Sequence, residues 1–529
     1  MVVELVGGAL QCVREAAAPS LPAANAAIRS LGASWARVLA HLERMQVQRQ
    51  EPDQHSQNQL LAAAQSAGAW RFALALLKGP EQDPFAEARR AAKLYQLGGP
   101  VPMSEVAAME GRSLPELAAV LWSLAAVASD EALLLQVQKE ICSRILGGQV
   151  RTLETPSLGN VAWALATKPP RDRRLNEVMA QILRELLGRS TTLPRQAPPS
   201  AFVVMAEAVL ATLWAGHVLE LGIGGGAQVG EVLRSLGRAL DAGSCTRNIL
   251  PSLPTVTEEA PSSLPRNVWS FRDGMVLLKP DGWQIYDKVE VASDPGGPRL
   301  RGNFSAFWGS QWPRRRHPLP ADLSCNCGFL HRLDVPSSGL ILAASSYQMY
   351  YELRRQLAVG SLHREYAVLS HGWVPGRTEI GAPVRWSSAS VARQELTKVT
   401  KGGWPAKTYL LARAHLAAEG LALTLLDVRI QTGRRHQIRT HLAHVGFPSL
   451  ADGKYSADGT YQIDAQWCPR NFLHRYQLRF SVPQACKDVP VSFLEPLPLD
   501  LRRALSATAI LKLFGAAEDW LRLLQAWKP

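Results

Sequence analysis

His331-Arg332-Leu333-Asp334-Val335-Pro336-Ser337-Ser338-Gly339-Leu340 sets one carboxylate between a basic dipeptide and a Ser-Ser-Gly turn. Apolar runs flank it, Gly328-Phe329-Leu330 before and Leu340-Ile341-Leu342 after. The stretch therefore reads as strand, tight turn, strand, with Asp334 at the exposed rim. A carboxylate held on such a turn is available for chemistry. Taken alone, the same pattern fits equally well an Asp that caps a turn beside a surface Arg.

Three further stretches decide between the two. Asp273-Gly274-Met275-Val276-Leu277-Leu278-Lys279-Pro280-Asp281-Gly282 reads as a strand ending in a turn. His363-Arg364-Glu365-Tyr366-Ala367-Val368 is strand-like, and Gln431-Thr432-Gly433-Arg434-Arg435-His436-Gln437-Ile438-Arg439, continued by His441-Leu442 and Gly446-Phe447-Pro448, reads as a basic helix start. Together with the Asp334 turn, these stretches resemble, in order, the motifs of the RluA-like RNA pseudouridine synthases. Four ordered matches over about 180 residues are far more specific than any one motif.

Composition agrees. The 529 residues leave room for two or three domains, and 47% hydrophobic content excludes a mainly disordered chain. Lys plus Arg outnumber Asp plus Glu, 58 to 45, for a formal charge of +13. A polyanion such as RNA is the natural partner, and an acidic membrane surface the weaker alternative. Seven cysteines, odd in number and mostly far apart, point to a reducing, intracellular setting. Cys325-Asn326-Cys327 has no second Cys or His pair at finger-like spacing, so no metal is expected. The best membrane-span candidate, Ala201 to Leu221, contains Glu207 and His217 and reads as a buried helix, so no membrane partner is expected. No secretory signal is visible at the amino terminus; cytoplasm, mitochondrion and plastid all stay open.

The first 240 residues are rich in Ala and Leu at helical spacing. Trp35-Ala36-Arg37-Val38-Leu39-Ala40-His41-Leu42 recurs 35 residues later as Trp70-Arg71-Phe72-Ala73-Leu74-Ala75-Leu76-Leu77. Leu117 to Ala125 recurs as Leu158 to Ala166 at a spacing of 41. Such periods predict stacked helical hairpins, a solenoid, and resemble pentatricopeptide- and octatricopeptide-type repeats. The apolar residues of these repeats would be hairpin core whatever the ligand, so RNA and a protein partner are both open. Val218-Leu219-Glu220-Leu221-Gly222-Ile223-Gly224-Gly225-Gly226 is similar to a nucleotide-binding loop, yet no further strand and helix alternation follows. It reads better as a helix end.

From about Val268 the period becomes strand-like. Strands are predicted over Met275 to Lys279, Phe329 to Leu333, Leu340 to Ala344, Glu365 to Ser370, Thr408 to Ala412, Leu421 to Ile430 and Asn471 to Phe480, with helices over Tyr347 to Ala358 and Arg435 to Val445. The expected architecture is multidomain: an α-helical repeat region (1–240), a Pro/Ser-rich linker (241–266), an α+β synthase domain with a mainly antiparallel mixed sheet (267–500) and a C-terminal helix (501–529). The long segment Val291 to Asn326, with Arg314-Arg315-Arg316-His317, reads as an RNA-contacting insertion or a surface loop.

The resemblance implies an isomerase that breaks the N1 to C1′ bond of a uridine, turns the base and rejoins it through C5. It makes Asp334 the catalytic carboxylate, Arg439 its charge partner and Tyr366 a platform for the base. Arg332 would fill the gap left by a flipped nucleotide, Ile438 would floor the pocket, and His331, Arg434, Arg435 and His436 would meet the RNA. No cofactor is implied. Three features depart from the pattern: Ser337 stands where threonine is usual, Gln431 where arginine is frequent before Thr-Gly-Arg, and Ala451, before Asp452, where a glycine is usual. The alternative is a noncatalytic RNA-binding or scaffold protein on the same fold.

Overall fold

The computed structural model describes residues 112–127, 131–170, 172–223, 226–243, 264–285, 302–312, 317–387, 396–483 and 488–515. The 35-residue repeat at Trp35 and Trp70, residues 252–263 of the predicted linker, and Arg314 to Arg316 lie outside them. The chain forms two compact bodies. Of the first, 1–127 with 389–393, the described part is helix α1, Leu114–Val127. Ser113 and Glu116 start it: the Glu116 carboxylate accepts from Ser113 N at 2.6 Å, the reciprocal half of a capping box. The second body holds everything else described.

That second body opens with five helices, α2 (Glu131–Leu146), α3 (Thr155–Thr167), α4 (Leu175–Thr192), α5 (Pro199–Val218) and α6 (Ala227–Gly243). N-terminal helices are thus present as expected. Helix α5 is the one described helix long and apolar enough to cross a membrane, and it packs instead on α3, α4 and α6. Glu220, at φ 55°, follows the end of α5, while Gly224 and Gly225 lie outside the described residues.

A sheet of ten strands forms the rest. Its path is β1 (Arg266–Phe271), β2 (Gly274–Lys279), β5 (Ser338–Ala344), β12 (Leu473–Val482), β6 (His363–His371), β11 (Leu421–Ile430), β10 (Thr408–Ala418) and β14 (Ala509–Leu513). In addition, β13 (Val489–Leu494) pairs with β12, and β7 (Arg377–Ile380) with β10. Two small pairs stand apart, β3 (Trp283–Gln284) with β4 (Gly302–Asn303) and β8 (Val384–Ser387) with β9 (Leu396–Val399). Every neighbour in the large sheet is antiparallel except β5 beside β12, so the sheet is mixed and mainly antiparallel, as expected. Helices α7 (Phe304–Ser310), α8 (Tyr347–Ala358), α9 (Gln437–His444), α10 (Asp458–Asp464) and α11 (Leu499–Ser506) complete the body. On β6, Tyr366 and Val368 join one core with Leu277, Ile341 and Leu473, while Ala367 and Leu369 join another with Leu416, Leu450 and Phe472. Burial on both faces is why this strand reads as a continuous apolar run.

Five expectations are corrected. Residues 329–333 are not a strand. Positive φ at Asn326, Cys327 and Gly328 throws the chain into a turn, and only one bridge, Phe329 to Ala343, survives. Residues 501–515 are not one C-terminal helix: α11 ends at Ser506 and β14 follows, because the edge of β10 offers it a ladder, and 516–529 lie outside the described residues. The Val291–Asn326 segment is not merely a surface loop, since Phe304 and Trp308 of α7 are fully buried against Phe329. The helix predicted from Arg435 begins at Gln437, after His436 at φ 52°.

The last correction concerns the linker: helices α2 to α6, ending at Gly243, are not a module held apart from the synthase half but part of one body with it. Gly237 of α6 lies so close to α8 that a Cβ there would fall 2.4 Å from Gln348 Cα. The Asp241 carboxylate accepts from the backbone N of Tyr347 (2.8 Å) and Gln348 (3.0 Å), so the helical layer supplies a cap for α8. Arg354 of α8 pairs with Glu207 of α5. A fragment starting at Pro265 strips α8 of these partners. It is expected to melt well below the full chain and to bind a hydrophobic dye; equal melting temperatures would show that the layer contributes nothing to the synthase half.

Candidate active site

Three buried cations set the turn that carries Asp334. Lys279, at the end of β2, donates from Nζ to the carbonyls of Ser337 (2.7 Å), Pro280 (2.9 Å) and Val335 (3.4 Å). Burial pushes its pKa down to about 7, against the opposing pull of Asp281. Arg470 donates to the Pro336 carbonyl and to Ser338 Oγ, both at 3.1 Å, while Asp500 holds its other edge at 2.6 Å. Arg475 of β12 donates to the carbonyls of Leu340 (2.9 Å) and Arg332 (3.1 Å). Hydrogen bonds from charged donors are the strong ones, so the turn is held from three sides. Gly339, opposite Arg475 in the parallel pair, has φ 129°, and a Cβ there would lie 2.4 Å from the Arg475 carbonyl oxygen. The glycine of Ser-Ser-Gly is demanded by that close approach.

Asp334 is not at an exposed rim. Its side chain keeps 15% of its accessibility and forms part of a cavity wall, because α9 covers the turn. Oδ2 accepts from Arg439 Nη1 at 3.3 Å, and His436 Nε2 stands 3.9 Å from Oδ1. Arg439 is more tightly engaged on its other side, where Nε and Nη2 donate to Asp452 at 2.8 and 2.6 Å. Asp452, to which the sequence reading gave no role, also accepts from Asn471 Nδ2 (2.8 Å), Lys454 N (3.0 Å) and Ser449 Oγ (3.2 Å). Ala451 before it sits at φ 53°. The alanine thus adopts the left-handed conformation that a glycine takes more readily.

Burial pushes the Asp334 carboxyl up, yet the facing His436 ring, the Arg439 guanidinium and Arg332 hold it well below the ordinary carboxylate range. The His436 contribution requires a protonated ring, and burial drives that ring's own pKa down to about 3. At neutral pH His436 is neutral, with Nδ1 hydrogen-bonded to the Tyr455 hydroxyl at 2.9 Å, and the two guanidiniums keep Asp334 ionised. Because the folded value lies below the unfolded one of about 3.9, this stabilisation is complete at neutral pH and is lost only as pH falls through the folded value.

Tyr366 is buried in the same cavity, its hydroxyl accepting from Arg475 Nη2 at 2.7 Å and its ring 4.9 Å from that guanidinium. Arg475 also donates to His331 Nδ1 at 2.5 Å. His331 is therefore a buried, neutral part of the wall. Arg332 is exposed at the cavity, and Ile438 is buried in its lining. The cavity measures about 600 Å³ and brings together all nine residues singled out in the sequence. His441 is structural, bonded to Thr408 Oγ1 (2.9 Å) and the Ala382 carbonyl (2.8 Å).

The helical layer shares this cavity, which nothing in the sequence indicated. Trp163 of α3 and Trp214 of α5 line it. The Arg434 guanidinium lies 5.1 Å from the Trp214 ring and 5.4 Å from that of Trp404, and Arg435 lies 4.7 Å from Trp386. These are cation–π distances. The contacts of Arg475 with Tyr366 and of Asp452 with Arg439 were equally outside the sequence reading. The pattern before Asp452 was a visible hint, whereas Arg475 sits in an ordinary strand sequence.

The fold and this site define a carboxylate-centred RNA-modifying enzyme class, and comparison with known proteins agrees. The RNA pseudouridylate synthase family profile matches residues 293–444. The ribosomal large subunit pseudouridine synthase D of Xylella fastidiosa is 33% identical over 261 residues, 47% of this chain and 72% of that protein. That of Xanthomonas campestris is 29% identical over 264 residues, covering 48% and 73%. The uncharacterized RNA pseudouridine synthase YlyB of Bacillus subtilis is 32% identical over 175 residues, and the chain spans 53% of its length. This chain belongs to the RluA-like RNA pseudouridine synthase family, whose members are isomerases.

Replacing Arg439 by Met leaves burial to dominate at Asp334, so the carboxyl pKa rises. The single-turnover rate is expected to fall on the order of 100-fold and to decline further as pH drops from 8 to 5, a limb the parent enzyme lacks. A variant with a flat profile and a defect confined to RNA affinity would make Arg439 a phosphate contact.

Proposed function

We propose that this chain converts uridine to pseudouridine in RNA, with Asp334 as the reacting carboxylate. The observation that carries the reading is an ionised Asp334 in the wall of a cavity shared with the Tyr366 ring and paired with a fully engaged Arg439. The reaction is balanced within one nucleotide. The N1–C1′ bond breaks, the base turns, the C5–C1′ bond forms, and the C5 proton leaves while N1 gains one. Attack at C1′ and removal of the 2′ proton both call for an ionised carboxylate at the ribose. Tyr366 offers a flat surface that tolerates base rotation, and Arg475 fixes its hydroxyl where it can take up the C5 proton. Arg332, exposed at the mouth, fills the stack vacated by the nucleotide; extrusion costs a few kcal/mol, part of which such a filler offsets. Ile438 floors the pocket, and Arg434 and Arg435, backed by tryptophans, present charge to the strand. His331 and His436 act as neutral wall groups. The chemistry needs neither metal nor organic cofactor.

The repeat spacing in residues 1–240 supports reading those helices as repeated hairpins that help select the RNA. Trp163 and Trp214 in the cavity wall favour RNA over a protein as what they meet. The two relatives named for the ribosomal large subunit make a large-subunit rRNA fragment the first substrate to try.

Asp334→Asn replaces carboxylate by amide at nearly the same volume. It is expected to keep melting temperature and RNA affinity while abolishing tritium release from 5-tritiated uridine RNA. Undiminished release would remove Asp334 from the mechanism.

A further inference from the structure

Most buried guanidiniums of the synthase half have clear partners. Arg439 lies on Asp452 and Asp334, Arg470 on Asp500, and Arg475 donates to two carbonyls, a ring nitrogen and a phenol. Arg364 is different. It is 3% exposed, and among the described residues its guanidinium makes no hydrogen bond or ion pair; its Nε is buried without a partner, as is that of Arg475, but Arg475 is held through Nη1 and Nη2. Burial, with the like-charged Arg475 adding to it, lowers its pKa to about 10. Arg434 shares part of this state: Nε donates to the Pro405 carbonyl at 3.1 Å, but Nη2 is buried and unpartnered, and burial alone lowers it to about 10.

Both side chains line the cavity that holds Asp334. Arg364 stands two residues before Tyr366 on β6 and so shares its face of the sheet. Gly433 makes room for it, since a Cβ there would fall 2.8 Å from Arg364 Nη1. A buried cation without a counter-charge is costly in the free protein. Its position in a cavity that receives a polyanion supplies the reason to keep it. Asp334 does not serve as that counter-charge, because it is bonded to Arg439.

We propose that the cavity contains a phosphodiester-binding subsite in which Arg364, with Arg434 next to Gly433, takes phosphate oxygens of the RNA strand that carries the target uridine. The inference rests on the RNA reading above. Phosphate contacts of this kind fix the register of the strand, while the choice of base is made elsewhere. A guanidinium fork held without a competing carboxylate is already set for two oxygens of one phosphate.

The test uses the full chain in the Asp334→Asn background, adding Arg364→Met or Arg364→Lys, with a fluorescently labelled single-stranded RNA containing uridine. Affinity is measured across a salt series and the melting temperature without RNA. Arg364→Met is expected to weaken binding about tenfold, to flatten the slope of log K against log salt by about 0.7, the value for one phosphate on a single strand, and to raise the melting temperature of the free protein. Arg364→Lys is expected to restore most of the slope. An unchanged slope, or a lowered melting temperature with unchanged affinity, overturns the proposal, because that is what a packing role gives. Tritium release by the parent protein separates the two levels: release together with an unchanged slope overturns only the subsite, while no release from any RNA overturns the parent reading and the subsite with it.

Discussion

Arg439 stands between two carboxylates in a space from which water is largely shut out, and the charge state of Asp334 depends on that sharing. Asp452 takes two of its N–H groups at 2.6 and 2.8 Å, and Asp334 takes a third at 3.3 Å. The tighter pair fixes the guanidinium, and the looser one leaves the second carboxylate ionised and accessible from the cavity. Removing one member of a buried pair of this sort leaves an uncompensated charge, typically at a cost of about 3–5 kcal/mol. Asp452 is thereby a positioning residue for Asp334 at one remove, and the strained Ala451 backbone is tolerated because Asp452 is over-determined by four further donors.

The same logic organises the turn around Asp334. Lys279, Arg470 and Arg475 reach it from β2, from the residues just before β12 and from β12 itself, and each spends its donors on backbone carbonyls or a hydroxyl of the turn. The parallel junction of β5 and β12 is the one place in the sheet where this is achievable, since it sets Arg475 against Gly339 and brings Tyr366, on the other neighbour of β12, to the same guanidinium. The central strands of the sheet thus carry Arg475 and Tyr366 and hold the Asp334 turn, the kind of rigid support that keeps a site from loosening.

The helical layer changes what the cavity is. With Trp163 and Trp214 in its wall, and Arg434 between Trp214 and Trp404, the cleft is lined by two parts of the chain, one ending at Trp214 and the other starting at Leu323. Aromatic and guanidinium faces stack on bases without regard to their identity, so under the proposed function such a wall would add affinity for an unpaired strand without reading it.

How much of this the sequence carried depends on how local each signal is. Asp334, Tyr366, Arg439 and Ile438 were legible because their motifs are short, ordered and each built by one turn or one helix start; helix Tyr347–Ala358 and strand Leu421–Ile430 were legible because burial imposes a simple period. Short edge strands such as β7, β8 and β14 gave no such period, and the 329–333 segment was read as a strand although three successive positive φ values and the Arg475 side chain, 143 residues away from Arg332, take its backbone out of the ladder. The partners of the motif residues were beyond reach for the same reason. Arg475 on Tyr366, Asp452 beneath Arg439, the unpaired Arg364, and tryptophans from α3 and α5 in the cavity wall are contacts between residues far apart in the chain. A one-dimensional pattern records which side chains are available; only packing decides which charges meet a partner and which are buried without one.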